Sequence, residues 1–340
     1  MKINKENIRQ IFTDFSQLKI MIIGDVMLDD YIIGNVSRIS PEAPVPVVDI
    51  KNRYACLGGA ANVALNVKSL GATPVLCSVI GEDKKSDDFL QIMQKENLST
   101  QGIIKSKHRI LTTKYRAIGN NMQLLRLDNE ITNPLSQEDE HDFYKSLLAI
   151  LDTQKIDAII FEDYDKGVIT PSLIEKIVSY AKEKSILVSV DPKKRNFLQY
   201  NNIDLFKPNL KELQEGLRLN KCSWDSDYLK DAVTQFMIEK KHKHLLLTLS
   251  GDGVAVYSLE NNTIKYIHIP ASLRNIADVS GAGDTVISVA TLCMALKMDM
   301  KNVATIANLA GGLVCEKVGV AAIDKEKLVE ITNYELRITD

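Results

Sequence analysis

The chain reads Leu-Lys-Ile-Met-Ile-Ile-Gly-Asp from residue 18 to residue 25. This nearly continuous apolar run is typical of a strand that is covered on both faces in a parallel sheet. Downstream, residues 59–70 have the pattern of a helix that ends at Gly71, and residues 74–80 form a second apolar run. Strand, helix and strand in this order predict a βαβ unit, so we expect an α/β fold with a mainly parallel sheet flanked by helices.

The same alternation continues along the chain. It predicts helices at 86–96 and 136–151, a helix beginning near Asn209, strands at 157–163, 186–191, 204–208 and 244–249, and turn-plus-helix segments at 278–297 and 301–317. Two segments, 26–50 and 107–129, complete no βαβ unit. We predict that they pair as a small β lid, which excludes water from a reaction, serves as a dimer contact, or does both. No linker or repeat interrupts the pattern, so residues 1–340 are expected to form a single domain with this lid.

Composition and charge exclude several classes of protein. Lysine plus arginine number 42 and aspartate plus glutamate 44, a formal net charge of −2, which argues against a nucleic-acid partner. The five cysteines form no C-x-x-C pair, which is typical of a reducing cytoplasm rather than of a disulfide framework or a zinc site. Neither a signal peptide nor an apolar run of the length that a membrane span needs is visible. We therefore expect a cytoplasmic protein with small-molecule partners and no membrane contact.

The most informative motif for chemistry is Asp-Val-Ser-Gly-Ala-Gly-Asp at residues 278–284, which directly precedes an apolar helix. Glycines allow a ligand to approach the backbone, and the free N–H groups at a helix N-terminus attract an anion. The N–H groups of Gly281, Ala282 and Gly283 would stabilise a transferring phosphoryl group, and Asp284 would act as the base for the attacking hydroxyl. The alternative is a glycine turn whose acidic first-turn residue merely suits the helix dipole.

Other polar residues follow predicted strands, where ligands collect in doubly wound sheets. Asp25, Asp163 and Asp191 each end a strand, although such acids are often only turn or cap residues. A second glycine turn, Gly58-Gly59, opens a helix in which Asn62 either hydrogen-bonds a polyol or is an ordinary helix residue.

Two further turns are ambiguous, and the predicted lid contains basic residues. Asn209 and Glu212 have the spacing of a capping box, or they organise water around Mg²⁺. Residues 250–253, Ser-Gly-Asp-Gly, form either a hairpin turn or a loop that approaches a nucleotide. Lys114, Arg116 and Arg126 lie in the predicted lid, where they are either surface charges or a phosphate clamp.

Three of these motifs, at residues 58–62, 209–212 and 278–284, resemble motifs of the ribokinase-like sugar kinases, the PfkB family, and they occur in the same order along the chain. The resemblance implies a Rossmann-like ribokinase fold with a β lid, dimers formed through the lid, ATP, Mg²⁺ and often a monovalent cation such as K⁺. It implies a nucleotide site formed by Lys193, Asn209, Leu210, Lys211, Glu212, Ser250, Gly251 and Gly253. It implies substrate contacts from Asp25, Arg38, Gly58, Gly59, Asn62, Lys114, Arg126 and Asp163. Glu212 would bind Mg²⁺ through water, and Asp278 and Ser280 would hold the monovalent cation.

A closer resemblance within this family involves residues 24–29, 37–48, 123–128 and 163–167. These segments are similar to those of members that phosphorylate the anomeric O1 of D-glycero-β-D-manno-heptose 7-phosphate in ADP-heptose and lipopolysaccharide core synthesis. The chain has no H-x-G-H nucleotidyl-transfer motif, so we expect a form with kinase activity only. Asp165 and the basic run Lys193-Lys194-Arg195 depart from the pattern. A kinase for another sugar, sugar phosphate or nucleoside, and a non-catalytic sugar sensor, are the alternatives.

Overall fold

The computed structural model describes residues 7–261, 263–272 and 275–338, apart from the side chains of 336–338. The strands are β1 (Lys19–Gly24), β2 (Val26–Ile39), β3 (Pro46–Gly59), β4 (Thr73–Gly81), β5 (Gly102–Ser106), β6 (Thr112–Gly119), β7 (Met122–Asn129), β8 (Ala158–Glu162), β9 (Leu187–Asp191), β10 (Leu205–Phe206), β11 (His244–Thr248), β12 (Val254–Glu260) and β13 (Thr263–Ile269). The helices are α1 (Ile8–Asp14), α2 (Ala60–Ser69), α3 (Lys84–Lys95), α4 (Gln137–Thr153), α5 (Pro171–Glu183), α6 (Leu210–Gly216), α7 (Asp227–Lys240), α8 (Ala282–Ala295), α9 (Met300–Val314) and α10 (Lys325–Ile338). Short 3₁₀ turns cover Phe15–Gln17 and Ser250–Asp252.

Nine strands form one sheet in the order β13-β12-β11-β10-β9-β8-β1-β4-β5. All neighbouring pairs from β11 to β5 are parallel, and only β12 and β13 run antiparallel at one edge. The expected α/β class with a mainly parallel sheet is therefore confirmed. The strand order reverses at β1, which lies between β4 and β8, and such a reversal creates a crevice at the carboxyl ends of the strands.

Side chains of β1 alternate between two buried cores, because successive residues of a strand point to opposite faces. Ile20 and Ile22 belong to the core that also contains side chains of α1, α2, α3, α8, α9 and α10, whereas Met21 and Ile23 belong to the core that contains side chains of α4, α5, α6 and α7. The sheet is thus covered on both faces, which explains the continuous apolar run of β1.

A second sheet of four strands has the order β3-β2-β6-β7 and contains the two segments that we predicted as a lid. The chain enters it after Asp25 and first leaves it at Gly59, which pairs with Val26 and directly precedes α2. Strand β3 continues to Gly59, so residues 51–59 also belong to this sheet and the segment is longer than the predicted 26–50. That the second sheet closes over a substrate remains a prediction.

Several elements differ from the sequence-based expectations. The strand expected at 204–208 has only two residues, Leu205 and Phe206, because the chain turns at once into the cap of α6. Residues 250–253 connect the antiparallel strands β11 and β12, as expected of a hairpin turn. Among the described residues, no helix is both long enough and apolar enough to cross a bilayer.

Candidate active site

Asp284 lies in the first turn of α8 and is 4% exposed. The preceding turn depends on glycine, because Gly281 caps the helix with a φ of +78° and a Cβ at this position would lie 2.9 Å from Asn62 Nδ2. The motif 278–284 therefore forms the predicted turn at a helix N-terminus. It also places Asp284 against α2.

Both carboxylate oxygens of Asp284 accept hydrogen bonds from other elements. Asn62 Nδ2, in the first turn of α2, donates to Oδ2 at 2.7 Å, and the hydroxyl of Tyr164 donates to Oδ1 at 2.8 Å. Burial raises the pKa of Asp284, although these two hydrogen bonds and the nearby Lys207 oppose the shift. A carboxylate whose pKa is raised by burial is a stronger base than an exposed one.

The main-chain donors of the turn are not equivalent. The N–H groups of Gly281 and Gly283 donate to no residue in the described part of the chain, whereas that of Ala282 lies 3.3 Å from the carbonyl of Val279. Gly281 and Gly283 are thus the two groups freest to bind an anionic oxygen.

A buried carboxylate cluster lies beside Asp284. Oxygens of Glu162, Asp191 and Asp284 are all within 4.8 Å of one another, and Lys207 Nζ lies 2.8 Å from Asp191 Oδ2. Neither oxygen of Glu162 has a partner among the described residues. Burial, Asp191 and Asp284 raise the pKa of Glu162 well above its ordinary value, which favours its protonated form. The ammonium group of Lys207 already supplies positive charge here, so we assign no metal ion to the cluster.

The predicted nucleotide side begins at Lys193, which forms an ion pair with Glu212. Burial by itself would lower the pKa of Lys193, but Asp191 and Glu212 raise it overall. Asn209 and Glu212 form a complete capping box at α6, with both hydrogen bonds at 2.9 Å. The capping box, one of the two alternatives for Asn209 and Glu212, is therefore present. A role of Glu212 near phosphates remains a prediction.

The other residues predicted for this side differ in exposure. Asn209, Lys211, Ser250 and Gly251 are exposed, Leu210 is half-buried, and Gly253 is buried.

Asp25 and Asp163, predicted as sugar ligands, are each 1% exposed and point into the protein. The carboxylate of Asp25 accepts three backbone hydrogen bonds, from Tyr164 at 2.9 Å, Lys166 at 3.1 Å and Val168 at 3.0 Å. Asp163 accepts hydrogen bonds from Asn196 and Tyr200, and burial and Asp25 raise its pKa to about 7. These contacts show both acids holding the loop after β8.

Gly58 and Gly59, predicted as a turn, are the last two residues of β3, directly before α2. A Cβ on Gly58 would lie 2.5 Å from Asp29 Oδ2, and one on Gly59, whose φ is +60°, would lie 2.4 Å from the carbonyl oxygen of Asp25. Both positions therefore exclude a side chain because other atoms approach the backbone closely, and sugar contact remains a prediction.

The three basic residues predicted as a phosphate clamp, Lys114, Arg116 and Arg126, have different surroundings in the structure. Lys114 is half-buried, and its Nζ lies 5.7 Å from the centre of the Tyr164 ring. Burial lowers the pKa of Lys114, and among the described residues no carboxylate lies within ion-pair distance of it. Arg116 forms an ion pair with Asp29 at 2.5 Å.

Two other lid cations are exposed. Arg126 pairs with Asp128 at 3.0 Å on a strand whose residues are all exposed. Arg38 is exposed near the far end of β2, roughly 40 Å along the strand from its start. Of these four cations, Lys114 is the one that lies over Tyr164, whose hydroxyl donates to Asp284.

Asp278 has a structural use that the sequence did not reveal. It accepts hydrogen bonds from the backbone and hydroxyl of Ser280, at 3.0 and 2.8 Å, and from the N–H of Gly319 at 2.9 Å. The carboxylate therefore ties the glycine turn to the loop after α9. A monovalent cation at Asp278 and Ser280 remains a prediction.

Three residues of the site were not among the predicted site residues: Tyr164, Glu162 and Lys207. Each had a weak signal, since Glu162 and Tyr164 adjoin the strand-end Asp163, and Lys207 precedes the cap at Asn209. Nothing in the local sequence indicates that these residues meet Asp284, because β8, β10 and α8 come together only through the strand order.

The chain matches the sequence profile described as pfkB family carbohydrate kinase over residues 17–327. It is 37% identical over 318 residues to the bifunctional protein HldE of Helicobacter acinonychis, and 36% identical over 316 residues to that of Desulfatibacillum aliphaticivorans. These matches cover 93% and 92% of this chain but 66% and 63% of the relatives, so the chain spans slightly less than two thirds of their length.

Solved structures with the same fold include two sugar kinases. Escherichia coli phosphofructokinase-2 in complex with potassium has a TM-score of 0.75 at 17% identity, with 94% of this chain and 99% of that chain covered. Arabidopsis thaliana ribokinase complexed with ribose and ATP has a TM-score of 0.70 at 15% identity, with 93% and 98% covered. At such identities the likeness shows the fold alone, and it confirms the expected ribokinase-like fold.

The chain belongs to the pfkB family of carbohydrate kinases. It is a sugar kinase, and within the family it is similar over nearly its whole length to proteins named HldE. Membership implies ATP and a divalent metal ion as cofactors.

Proposed function

We propose that this kinase transfers the γ-phosphoryl group of ATP to the anomeric O1 of D-glycero-β-D-manno-heptose 7-phosphate, giving the 1,7-bisphosphate for ADP-heptose synthesis. The observation that supports the reaction best is the buried carboxylate of Asp284 at the N-terminus of α8, beside the free N–H groups of Gly281 and Gly283. The choice of sugar is supported by the similarity to HldE and by the lid segment 37–48.

In this proposal Asp284 accepts the proton of the O1 hydroxyl while that oxygen attacks the γ-phosphorus. A bond forms between O1 and phosphorus, the bridging bond to the β-phosphate breaks, and ADP leaves. The N–H groups of Gly281 and Gly283 stabilise the transferring oxygens, and loss of one such donor typically costs about 3 kcal/mol of barrier. Lys193 supplies positive charge on the nucleotide side.

Glu212 is half-buried, and its two carboxylate oxygens pair with Lys193 and accept the N–H of Asn209. Each oxygen keeps a further lone pair, so the carboxylate fits a hydrated Mg²⁺ ion bound through water. When bound, the ion would neutralise charge on the phosphates. Glu212 would orient its water ligands, and Asp278 with Ser280 would hold a monovalent cation at the glycine turn.

We assign the 7-phosphate of the sugar to Lys114. Lys114 is half-buried, and its ammonium group lacks a carboxylate partner among the described residues and lies over the ring of Tyr164. A phosphate is the anion that such a cation would bind strongly. Arg116 is already paired with Asp29, so it contributes less.

We also propose a homodimer formed through the lid. The lid strands expose large apolar side chains, including Leu125 at 53% and Leu127 at 57%. Exposed apolar patches of this kind mark protein contacts.

The test is to incubate the protein with ATP, Mg²⁺ and the heptose 7-phosphate and to follow the products by ³¹P NMR. We expect a new anomeric phosphate signal together with ADP. A parallel panel should contain fructose 6-phosphate, ribose and a nucleoside. Faster transfer to a panel member would reassign the substrate, and sugar binding without transfer under any metal condition would favour the sensor alternative.

A further inference from the structure

We infer that Tyr164 is a positioning residue that fixes the carboxylate of Asp284 for proton transfer, an inference that rests on the proposed function. Its hydroxyl donates to Asp284 Oδ1 at 2.8 Å, while Asn62 Nδ2 donates to Oδ2 at 2.7 Å. Two donors on different oxygens define the plane of the carboxylate. Each oxygen keeps a further lone pair, so a sugar hydroxyl can still donate to it.

The backbone of Tyr164 is itself held firmly. Its N–H donates to Asp25 Oδ2 at 2.9 Å, and the same carboxylate accepts the N–H groups of Lys166 and Val168. Asp163, the residue that precedes Tyr164, accepts a hydrogen bond at Oδ2 from Asn196 Nδ2 at 2.9 Å. These buried acids, which the phosphoryl transfer does not use directly, therefore anchor the loop that presents the tyrosine.

The ring of Tyr164 also contacts cations from both sides of the site. Lys114 Nζ from the lid lies 5.7 Å from the ring centre, and Lys193 Nζ from the nucleotide side lies 5.2 Å from it. Ammonium groups at such distances are attracted to an aromatic face. One side chain thus touches the proposed base, the proposed sugar-phosphate ligand and the proposed nucleotide ligand.

The direct test is Tyr164→Phe, which removes the hydroxyl and keeps the ring. We expect kcat to fall about tenfold or more, while the KM for ATP changes less than threefold, because orientation of the base matters mainly in the transition state. Losing a donor raises the pKa of Asp284, so the acidic limb of the kcat profile should move to higher pH. The other titratable groups that face Asp284, namely Glu162, Asp191 and Lys207, are unchanged in this variant.

Tyr180→Phe is the matched control. Tyr180 also donates to an aspartate at 2.8 Å, Asp152, but on the surface of α5. This variant should keep the unaltered kcat and pH profile. Difluorotyrosine at position 164, a stronger hydrogen-bond donor, should move the acidic limb in the opposite direction and tests the inference even if the phenylalanine variant folds poorly.

Tyr164→Phe added to Asp284→Asn should change the residual rate less than twofold, because the tyrosine acts through the aspartate. The inference is overturned if the unaltered protein is active and Tyr164→Phe has the same kcat and the same pH profile. If the unaltered protein transfers phosphate to no sugar phosphate, the proposed function itself fails. The two failures are therefore distinguishable.

Discussion

At the scale of single residues, the site consists of one carboxylate, that of Asp284, held by donors from two other parts of the chain. Asp284 and its glycines could be predicted from the sequence, because a glycine turn before an apolar helix determines its own local geometry. Tyr164 and Asn62 meet Asp284 across 120 and 222 residues, and no local pattern indicates such contacts. The structure likewise gives Asp25 a loop-holding contact set that its place at a strand end did not reveal.

Lys114 provides the first prediction. Lys114→Met removes the proposed ligand of the sugar phosphate and keeps most of the side-chain volume. We expect the KM for the sugar phosphate to rise about ten- to a hundredfold, with kcat changed much less, because a lost charge-assisted contact costs about 1.5–3 kcal/mol. Steady-state kinetics with varied sugar phosphate measures this.

Lys155→Met is the control for that variant, because Lys155 is 87% exposed, pairs with Asp157 and lies outside the lid. A KM for Lys114→Met within twofold of the unaltered value would show that another residue binds the phosphate.

At the scale of elements, helix and strand positions followed from periodicity, whereas their ends depended on tertiary contacts. Strand β10 is two residues long, since Lys207 pairs with Asp191 and Asn209 caps α6 immediately afterwards. Strand β3 extends to Gly59 because it pairs with β2 along its whole length. The mixed polar and apolar sequence of β3 does not predict this pairing.

The packing of β10 against α7 predicts a pH effect on stability. His242 is fully buried, its ring lies 4.8 Å from Phe206 and 5.0 Å from Phe236, and neither ring nitrogen has a partner among the described residues. Burial lowers the pKa of His242 to about 3. Between pH 6.5 and 3 the unfolded chain therefore binds a proton that the folded chain does not, and stability is lost as the pH falls through this range.

His242→Leu should remove this contribution. We expect the loss of unfolding free energy between pH 7.5 and pH 5 to be about 2 kcal/mol smaller in the variant than in the unaltered protein. Urea titrations at the two pH values measure it. Equal losses in both proteins would show that folding does not lower the pKa of His242.

At the scale of the whole molecule, the parallel sheet followed from the alternation of apolar runs and helices, and the strand order could not be read from the sequence. That order places β1 between β4 and β8 and so locates the crevice. Strand β7 of the second sheet is exposed along its whole length, so this strand is where we expect a second copy of the chain to bind.

The proposed dimer can be tested on that strand. Leu125→Lys combined with Leu127→Lys places two charges on one face of β7, and we expect it to convert a dimer into a monomer in light-scattering measurements, because buried unpaired charges are costly. Leu198→Lys with Ile238→Lys, at exposed positions outside the lid, should leave the mass unchanged. A lid variant that keeps the dimer mass would place the interface elsewhere.

The role of Asp284 as the base is tested most directly by Asp284→Asn, with turnover and nucleotide affinity measured on the same preparation. Asparagine keeps the shape and an acceptor for Tyr164 but cannot accept the sugar proton. We predict that kcat falls by about two to four orders of magnitude, while the dissociation constant for ATP stays within a few-fold of the unaltered value. Near-normal turnover in this variant would contradict the assignment of Asp284 as the base.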